Sequence, residues 1–405
     1  MKPIVRARRM KPVHSDIRGP LFVEAMKRQK QGIDILKLNT GNPATFGFGL
    51  PDSIKNALME HMQDGVGYCD FKGMPQARQA ICDYETSKGI KGITSDDVFI
   101  GNGVSEVVSF ALTPLLNDGD EVLVPSPSYS LWGNSVYLED GKPVFYTCDE
   151  QANWYPDIQD IRSKITDKTK AIVIINPNNP TGVLYPKELL LEIIQVARES
   201  GLLIFADEIY DRLVMDGKQH ISLASLTEDV PVITLNGLSK SHCLCGYRCG
   251  WMVISGPREL TEDYRQGIIQ LTSLRLCANT MAQIVIPAAL DDMETPASMV
   301  RPGGRIYEQR EATVRELEKI DGLSFVKNDA AFYVFPKLDV KKFNITNDKQ
   351  FAHDLLDVTN ILLVPGSGFD WKDPDHFRIV MLPQADILSD AIRRMGTFLD
   401  GYKQK

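Results

Sequence analysis

From about residue 98 onward the chain alternates short, solidly apolar runs with amphipathic segments, and that alternation limits the folds open to it. The runs lie at 98–100, 121–124, 144–146, 171–175, 202–206, 232–235 and 251–254. Runs this short, without a polar face, read as strands covered on both sides rather than as half-solvated ones. Helical patterns fill most of the gaps between them. The predicted fold is therefore α/β, an open and mainly parallel sheet with helices on both faces. The last hundred residues return to shorter elements, predicted as strands or helices at 331–335, 351–358, 361–364, 377–380 and 387–399. These read as a smaller α+β domain. The predicted division is 1–45 for an N-terminal arm joined to the small domain, 46–300 for the large domain and 301–405 for the small one. Within the arm, 21–31 has helical spacing and 36–39 reads as a short strand. Asp52 or Ser53 is placed to cap the next helix. Further helices are predicted over 78–87, around 257–290 and over 305–319.

The chemistry is expected just past the strand ends. Asn236-Gly237-Leu238-Ser239-Lys240 follows the run at 232–235, with Arg248 eight residues on. A lysine part-desolvated there, beside another cation, is expected to lose proton affinity and become a nucleophile toward an aldehyde. Arg248 offers a planar fork for a phosphate. Aldehyde and phosphate on one molecule describe pyridoxal phosphate, held as a lysine Schiff base with an acid at its ring nitrogen. Taken alone, Ser239-Lys240 reads more readily as an ordinary loop pair, and the case rests on what else the chain provides. Gly101-Asn102-Gly103-Val104-Ser105 opens a helix, so the amides of Val104 and Ser105 and the Ser105 hydroxyl form a phosphate cup or simply a helix N-terminus. A dinucleotide fingerprint fails there, because Glu106 occupies the third glycine position. Tyr129, past the run at 121–124, either stacks on a flat ring or packs in the core. Asn176-Pro177-Asn178-Asn179-Pro180-Thr181-Gly182 makes a stiff loop, whose Asn amide can donate to a phenolate. Asp207 closes an apolar run, where a carboxylate needs a cation or a protonated ring nitrogen. Tyr210 is near enough to share that ligand, and Glu208 is expected to point away into a structural contact. Arg378, inside an apolar strand, needs an anion, either a substrate carboxylate or a buried salt-bridge partner.

A chain of 405 residues with 43% apolar content can bury a large core. A net charge of −8 argues against a general nucleic-acid binder, and the basic run Arg6-Ala7-Arg8-Arg9 reads as a solvated arm. No apolar h-region follows it and no apolar stretch reaches about 18 residues, so no membrane association is expected and a cytoplasmic location is. Seven scattered cysteines fit reduced thiols. His242, Cys243, Cys245 and Cys249 lack paired zinc-site spacing, so no metal is expected.

Gly103/Ser105, Tyr129, Asn-Pro-x-Asn-Pro-Thr-Gly with Asn179, Asp207-x-x-Tyr210, Ser239-Lys240, Arg248 and Arg378 together resemble the class I pyridoxal-phosphate aminotransferases over nearly the whole chain. Within that family, Asp-Ile-Arg-Gly-Pro, Gly-Tyr-Cys-Asp-x-Lys-Gly and Asn-Gly-Leu-Ser-Lys are most similar to bacterial glutamate–pyruvate aminotransferases. The resemblance implies fold type I, an internal Schiff base on Lys240, which also moves the proton at Cα, and ring-nitrogen protonation held by Asp207. It implies ring contacts from Tyr210, Asn179 and Tyr129, and phosphate contacts from Val104, Ser105, Ser239 and Arg248. Tyr68 is implied to reach the phosphate of a neighbouring subunit, which makes the expected homodimer, with its active site at the subunit interface, obligatory. Gly41, Asn179 and Arg378 are implied for the substrate α-carboxylate. No single arginine is marked out for the distal carboxylate of glutamate; Arg18 and Arg275 are the candidates, with Arg18 favoured because the N-terminal arm is placed to close over the site. Gly237 departs from the family, standing where many relatives have a phosphate-binding Ser or Thr. The implied reaction exchanges an amino group between alanine/pyruvate and glutamate/2-oxoglutarate. Aromatic or branched-chain donors, a C–S lyase or decarboxylase, and a ligand-sensing regulator are the alternatives.

Overall fold

A computed structural model describes residues 2–405. In chain order the strands begin with β1 (Leu36–Lys37), β2 (Val98–Asn102), β3 (Glu121–Ser126), β4 (Lys142–Asp149) and β5 (Tyr155–Pro156). Then follow β6 (Thr169–Ile175), β7 (Leu203–Asp207), β8 (Val232–Gly237) and β9 (Cys249–Ser255). The C-terminal part holds β10 (Leu323–Ser324), β11 (Tyr333–Val334), β12 (Lys337–Leu338), β13 (Ile361–Leu362), β14 (Val364–Pro365) and β15 (Phe377–Val380).

Strands β2 to β9 form one eight-stranded sheet in the order β2-β9-β8-β7-β6-β3-β4-β5. Each of the seven predicted runs from 98 to 254 is a strand of it; only the two-residue β5 has no counterpart in the prediction. The central strands pair in parallel, while β9 runs antiparallel to both β2 and β8. Two apolar layers lie against it, one built around Ile172, Ile174, Ile193 and Ile204, the other around Phe99, Val122, Val173 and Phe205. Alternate residues of β6 and β7 feed opposite layers, which is why their sequences carry no polar face.

This topology sets the site. The C-terminal ends of β2, β3, β6, β7 and β8 all come to one edge, the usual place for ligands in such sheets. Because β9 runs backward, its start arrives at that same edge, with Cys249 opposite Asn102 and Gly250 opposite Gly237. Residue 248 thereby stands beside residues 102–105 and 237–240.

The C-terminal elements form a three-stranded sheet, order β11-β15-β14, with the helices Arg305–Leu317, Asp348–Thr359 and Ala385–Leu399. Strand β1 pairs in parallel with β13, through Leu36–Ile361 and Lys37–Leu362. Three expectations need correction. The helix Asp52–His61 has no side-chain cap: Pro51 is its N-cap, and Ser53 donates to Asp292 instead. The helical region near 257–290 is three helices, Arg258–Arg275, Thr280–Ile284 and Ile286–Asp291, because Leu276 takes a positive φ and Pro287 cannot continue the preceding turn. The strand expected over 36–39 pairs only at Leu36 and Lys37. Among the described residues no single helix is long and apolar enough to cross a membrane.

Candidate active site

At the edge just described, the backbones of Gly103, Val104 and Gly250 meet closely. A Cβ on Gly250 would lie 2.4 Å from the Val104 nitrogen, and one on Gly103 would lie 2.2 Å from Arg248 Nη2. Arg248 itself adopts a positive φ of 56° and donates to the Cys245 carbonyl at 3.0 Å, with Ser105 Oγ 3.5 Å from its Nη2. An exposed guanidinium, a serine hydroxyl and the first amides of the helix Val104–Leu112 thus converge on one cup suited to a phosphate. Glu106, which excludes the dinucleotide reading, is turned back onto Asn102 and onto Arg275.

Gly237 explains the family departure. A Cβ there would stand 2.5 Å from the Cys249 carbonyl oxygen, so the β8–β9 backbone leaves no room for a hydroxyl-bearing side chain. Lys240 follows in the short helix Leu238–Ser241. Its Nζ donates to the Gly41 carbonyl at 2.9 Å and lies 5.8 Å from the Phe332 ring. The expectation of a lowered lysine is overturned. Burial pushes the Lys240 amine down, but Tyr333, Cys245 and Tyr129, acidic groups whose anions favour an ammonium, outweigh it together with Arg378, and its proton affinity is raised.

Asp207 ends β7, buried, with Oδ2 accepting from Trp132 Nε1 at 3.1 Å and Oδ1 from the Ile209 amide at 3.4 Å. Burial pushes its carboxyl up to about 6. Tyr210 Oη is 2.8 Å from Tyr333 Oη. Asn179 Oδ1 accepts from Arg378 Nη1 at 2.9 Å, and the Asn39 carbonyl accepts from Nη2. Arg378 is 1% exposed, and its guanidinium lies 4.6 Å from the rings of both Tyr333 and Phe369. Its Nε is buried without a partner. Among the described residues no carboxylate pairs with it, so the salt-bridge alternative is excluded. Burial lowers its pKa, as expected of a cation short of a counter-charge. Gly41 is held to glycine by crowding, since a Cβ would fall 2.3 Å from Tyr333 Oη.

Tyr129 is part-exposed and acts electrostatically on both Lys240 and Arg378. Ser239 lies beside Lys240, its carbonyl accepting from Cys245 Sγ at 3.0 Å. Tyr68 is 84% exposed on the loop Gly65–Tyr68 and joins none of these contacts within its own chain. Arg18 is exposed, next to Ile17, whose carbonyl accepts from Asn39 Nδ2. Arg275 is committed to Glu106 at 2.5 Å and to the Phe71 and Ile100 carbonyls. His242 has both ring nitrogens engaged, by Ser241 and the Asp292 carbonyl, and burial pushes Cys243 and Cys249 up to about 12. Trp132, Tyr333 and Asn39 are site residues that the sequence reading missed. Tyr333 alone was within reach, as the one hydroxyl in the apolar stretch 330–335.

The aminotransferase class I and II family model matches residues 33–392. The chain is 50% identical to the glutamate-pyruvate aminotransferase AlaA of Haemophilus influenzae over 404 residues, covering 100% of each. An aminotransferase crystal structure from Escherichia coli superposes with a TM-score of 0.98 at 47% identity, covering 100% of each chain. An alanine aminotransferase structure from Pyrococcus furiosus gives 0.93 at 40% identity, covering 98% of this chain and 100% of that one.

Proposed function

The chain belongs to the class I and II aminotransferases, and from that premise we propose that it uses pyridoxal phosphate to exchange an amino group between alanine/pyruvate and glutamate/2-oxoglutarate. It is an aminotransferase, and its substrates are amino acids and 2-oxo acids. The observation that carries the proposal is Arg378: a buried fork with an unpartnered Nε and no carboxylate of its own, beside Asn179 and within electrostatic reach of Lys240. A substrate α-carboxylate supplies the missing charge bidentately.

The cofactor reading is supported by the cup at Gly103, which a Cβ would fill, and by the chemistry of the donors around it. When bound, pyridoxal phosphate supplies an aldehyde for an amine and a ring that withdraws electrons from the substrate Cα. Val104, Ser105, Ser239 and Arg248 would hold its phosphate, Tyr129 would stack on the ring, and Tyr210 and Asn179 would donate to its phenolate oxygen. Asp207 would accept from the protonated ring nitrogen and keep its proton there. Lys240 would hold the aldehyde carbon of the cofactor, and its amine would serve as the base for the proton at the substrate Cα. Gly41 leaves room for the α-carboxylate at Arg378. Arg18 binds the distal carboxylate of glutamate; its exposed side chain, without an ion pair among the described residues, supports this over Arg275, which is already paired. The exposed Tyr68 supports a homodimer in which each copy completes the other's phosphate site. The pairing of β1 with β13 supports grouping the arm, 1–45, with the small domain, 301–405, against a large domain, 46–300. Seven unpaired cysteines support a cytoplasmic location.

A panel of amino donors at fixed 2-oxoglutarate tests the specificity, with alanine expected to give the highest kcat/KM. An aromatic or branched-chain donor that outruns alanine overturns it. Release of ammonia without any 2-oxo acid acceptor would identify a lyase instead.

A further inference from the structure

Asp207 is buried at the end of β7, yet the one strong contact to its carboxylate comes from a residue outside the recognisable motifs. Trp132, in the helix Leu131–Leu138, is fully buried, and its ring lies 5.4 Å from that of Phe205 on the same strand, tilted by 38°. Packed between helix and sheet, the indole has one direction for its N–H, and that direction meets Asp207 Oδ2 at 3.1 Å. We propose that Trp132 is a positioning residue for Asp207, its N–H pinning one carboxylate oxygen so that the other is left for the protonated ring nitrogen of the cofactor. The inference rests on the reading of Asp207 as the ring-nitrogen partner.

The donor chemistry is one-sided. An indole N–H only donates, and its bond to an ionised oxygen is stronger than one to a neutral carboxyl, so it favours the carboxylate. Oδ1 keeps spare acceptor capacity, since its contact to the Ile209 amide is 3.4 Å, beyond the usual range. The groups that act on Asp207 are few. Burial favours its neutral form; Trp132 is the first influence against that, followed by the Ile209 amide; Glu208 works with burial and Lys240 against it. Without the indole, the acid takes up its proton nearer to neutral pH. It then offers an O–H where the ring nitrogen needs an acceptor. One short segment after β3 therefore delivers both Tyr129 and, three residues on, the side chain that orients Asp207 from beneath.

The test is infrared difference spectroscopy of the cofactor-free protein, following the protonated-carboxyl band that Asp207→Asn removes. In the parent the band should grow in as pH falls through about 6. In Trp132→Phe the proton affinity of Asp207 should rise about 10- to 100-fold, the size of one hydrogen bond to a charged group, and Trp132→His should restore part of it. Replacing Trp132 with benzothienylalanine, which keeps the bicyclic ring and lacks the N–H, gives the same reading if the phenylalanine variant fails to fold. In the holoenzyme kcat should fall by a similar factor with KM for the amino acid held. An unchanged infrared midpoint in Trp132→Phe and in the benzothienylalanine protein overturns the proposal. Failure of the underlying reading looks different: Asp207→Asn holoenzyme would then keep the parent's visible absorption and kcat.

Discussion

Asp207 and Glu208 are neighbours in the chain and both are buried, yet one joins a cluster whose charges are matched inside the protein and the other joins one whose charges are not. Glu208 faces Lys88 Nζ at 2.8 Å, and the same ammonium lies 2.6 Å from Glu85 and 3.3 Å from Asp211. Every member has further donors: Ser222 and the Leu223 amide on Glu208, Tyr84 and Asn236 on Asp211, Trp251 on Glu85. On the other side, Asp207, Lys240 and Arg378 share no ion pair among the described residues. Each is held by neutral dipoles: an indole, a carbonyl, a carboxamide. The first arrangement satisfies charge by charge, and the second leaves three charges available to a ligand. The matched cluster also braces the unmatched one. Asp211 binds Asn236, whose Oδ1 accepts from the Gly237 amide two residues after the end of the apolar run, and His220 binds the Asn176 carbonyl at the start of the Asn-Pro loop.

The contrast can be broken first at its two lysines. Lys240→Ala should abolish the visible absorbance of the bound cofactor and cut turnover by at least about 10²–10⁴-fold, the range of a lost general base, with the thermal midpoint little changed. Retained single-turnover transamination in that variant would refute the assignment. Lys88→Met should do the reverse, lowering stability by roughly 3–5 kcal/mol because three buried carboxylates lose the ammonium they share. Burial pushes Glu85 up to about 7, above its unfolded value, so it binds its proton more tightly when folded. The Lys88→Met protein should therefore regain stability as pH falls from 7 toward 5, seen in denaturation midpoints across that range.

Arg378→Lys sharpens the comparison at a smaller scale. A point charge cannot reproduce the fork, and kcat/KM should fall by the equivalent of about 2–3 kcal/mol through KM, with folding stability nearly unaffected. A large loss of stability instead would return Arg378 to a structural role. The smallest effect is expected from Asp207→Asn in the cofactor-free protein. Asp207 has a folded pKa of about 6, raised above its unfolded value, so its contribution to stability is greatest at low pH and is lost as pH rises through 6. Removing its charge should stabilise the cofactor-free protein at pH 7 by roughly 1–3 kcal/mol, and flatten the pH dependence of denaturation between 4 and 7. A destabilised variant at pH 7 would mean that the carboxylate is matched after all.

The sheet was readable because each strand announces itself within five or six residues, and the residues just past a strand end must lie at its edge. Asp207, Asn179, Lys240 and Gly103 were placed at that edge in this way, and Glu208 makes the separate structural contact expected of it. The direction of the Lys240 shift was misread because the cation that lowers it, Arg378 and not the Arg248 expected beside it, is outnumbered by Tyr333, Cys245 and Tyr129, of which only Tyr129 had been assigned to the site. Gly237 looked like a departure in a motif; its reason, the carbonyl of Cys249 at 2.5 Å from a would-be Cβ, belongs to the neighbouring strand.

By itself the sequence determined the α/β class, the parallel core and the set of polar residues carried at strand ends, since hydrophobic period and turn chemistry act over a few residues. Only the tertiary structure decided who orients whom: Trp132 on Asp207 across 75 positions, Tyr333 on Tyr210 across 123, Asn179 on Arg378 across 199. Those pairings arise when the packing of layers brings distant side chains within 3 Å or so, and no local pattern encodes that packing.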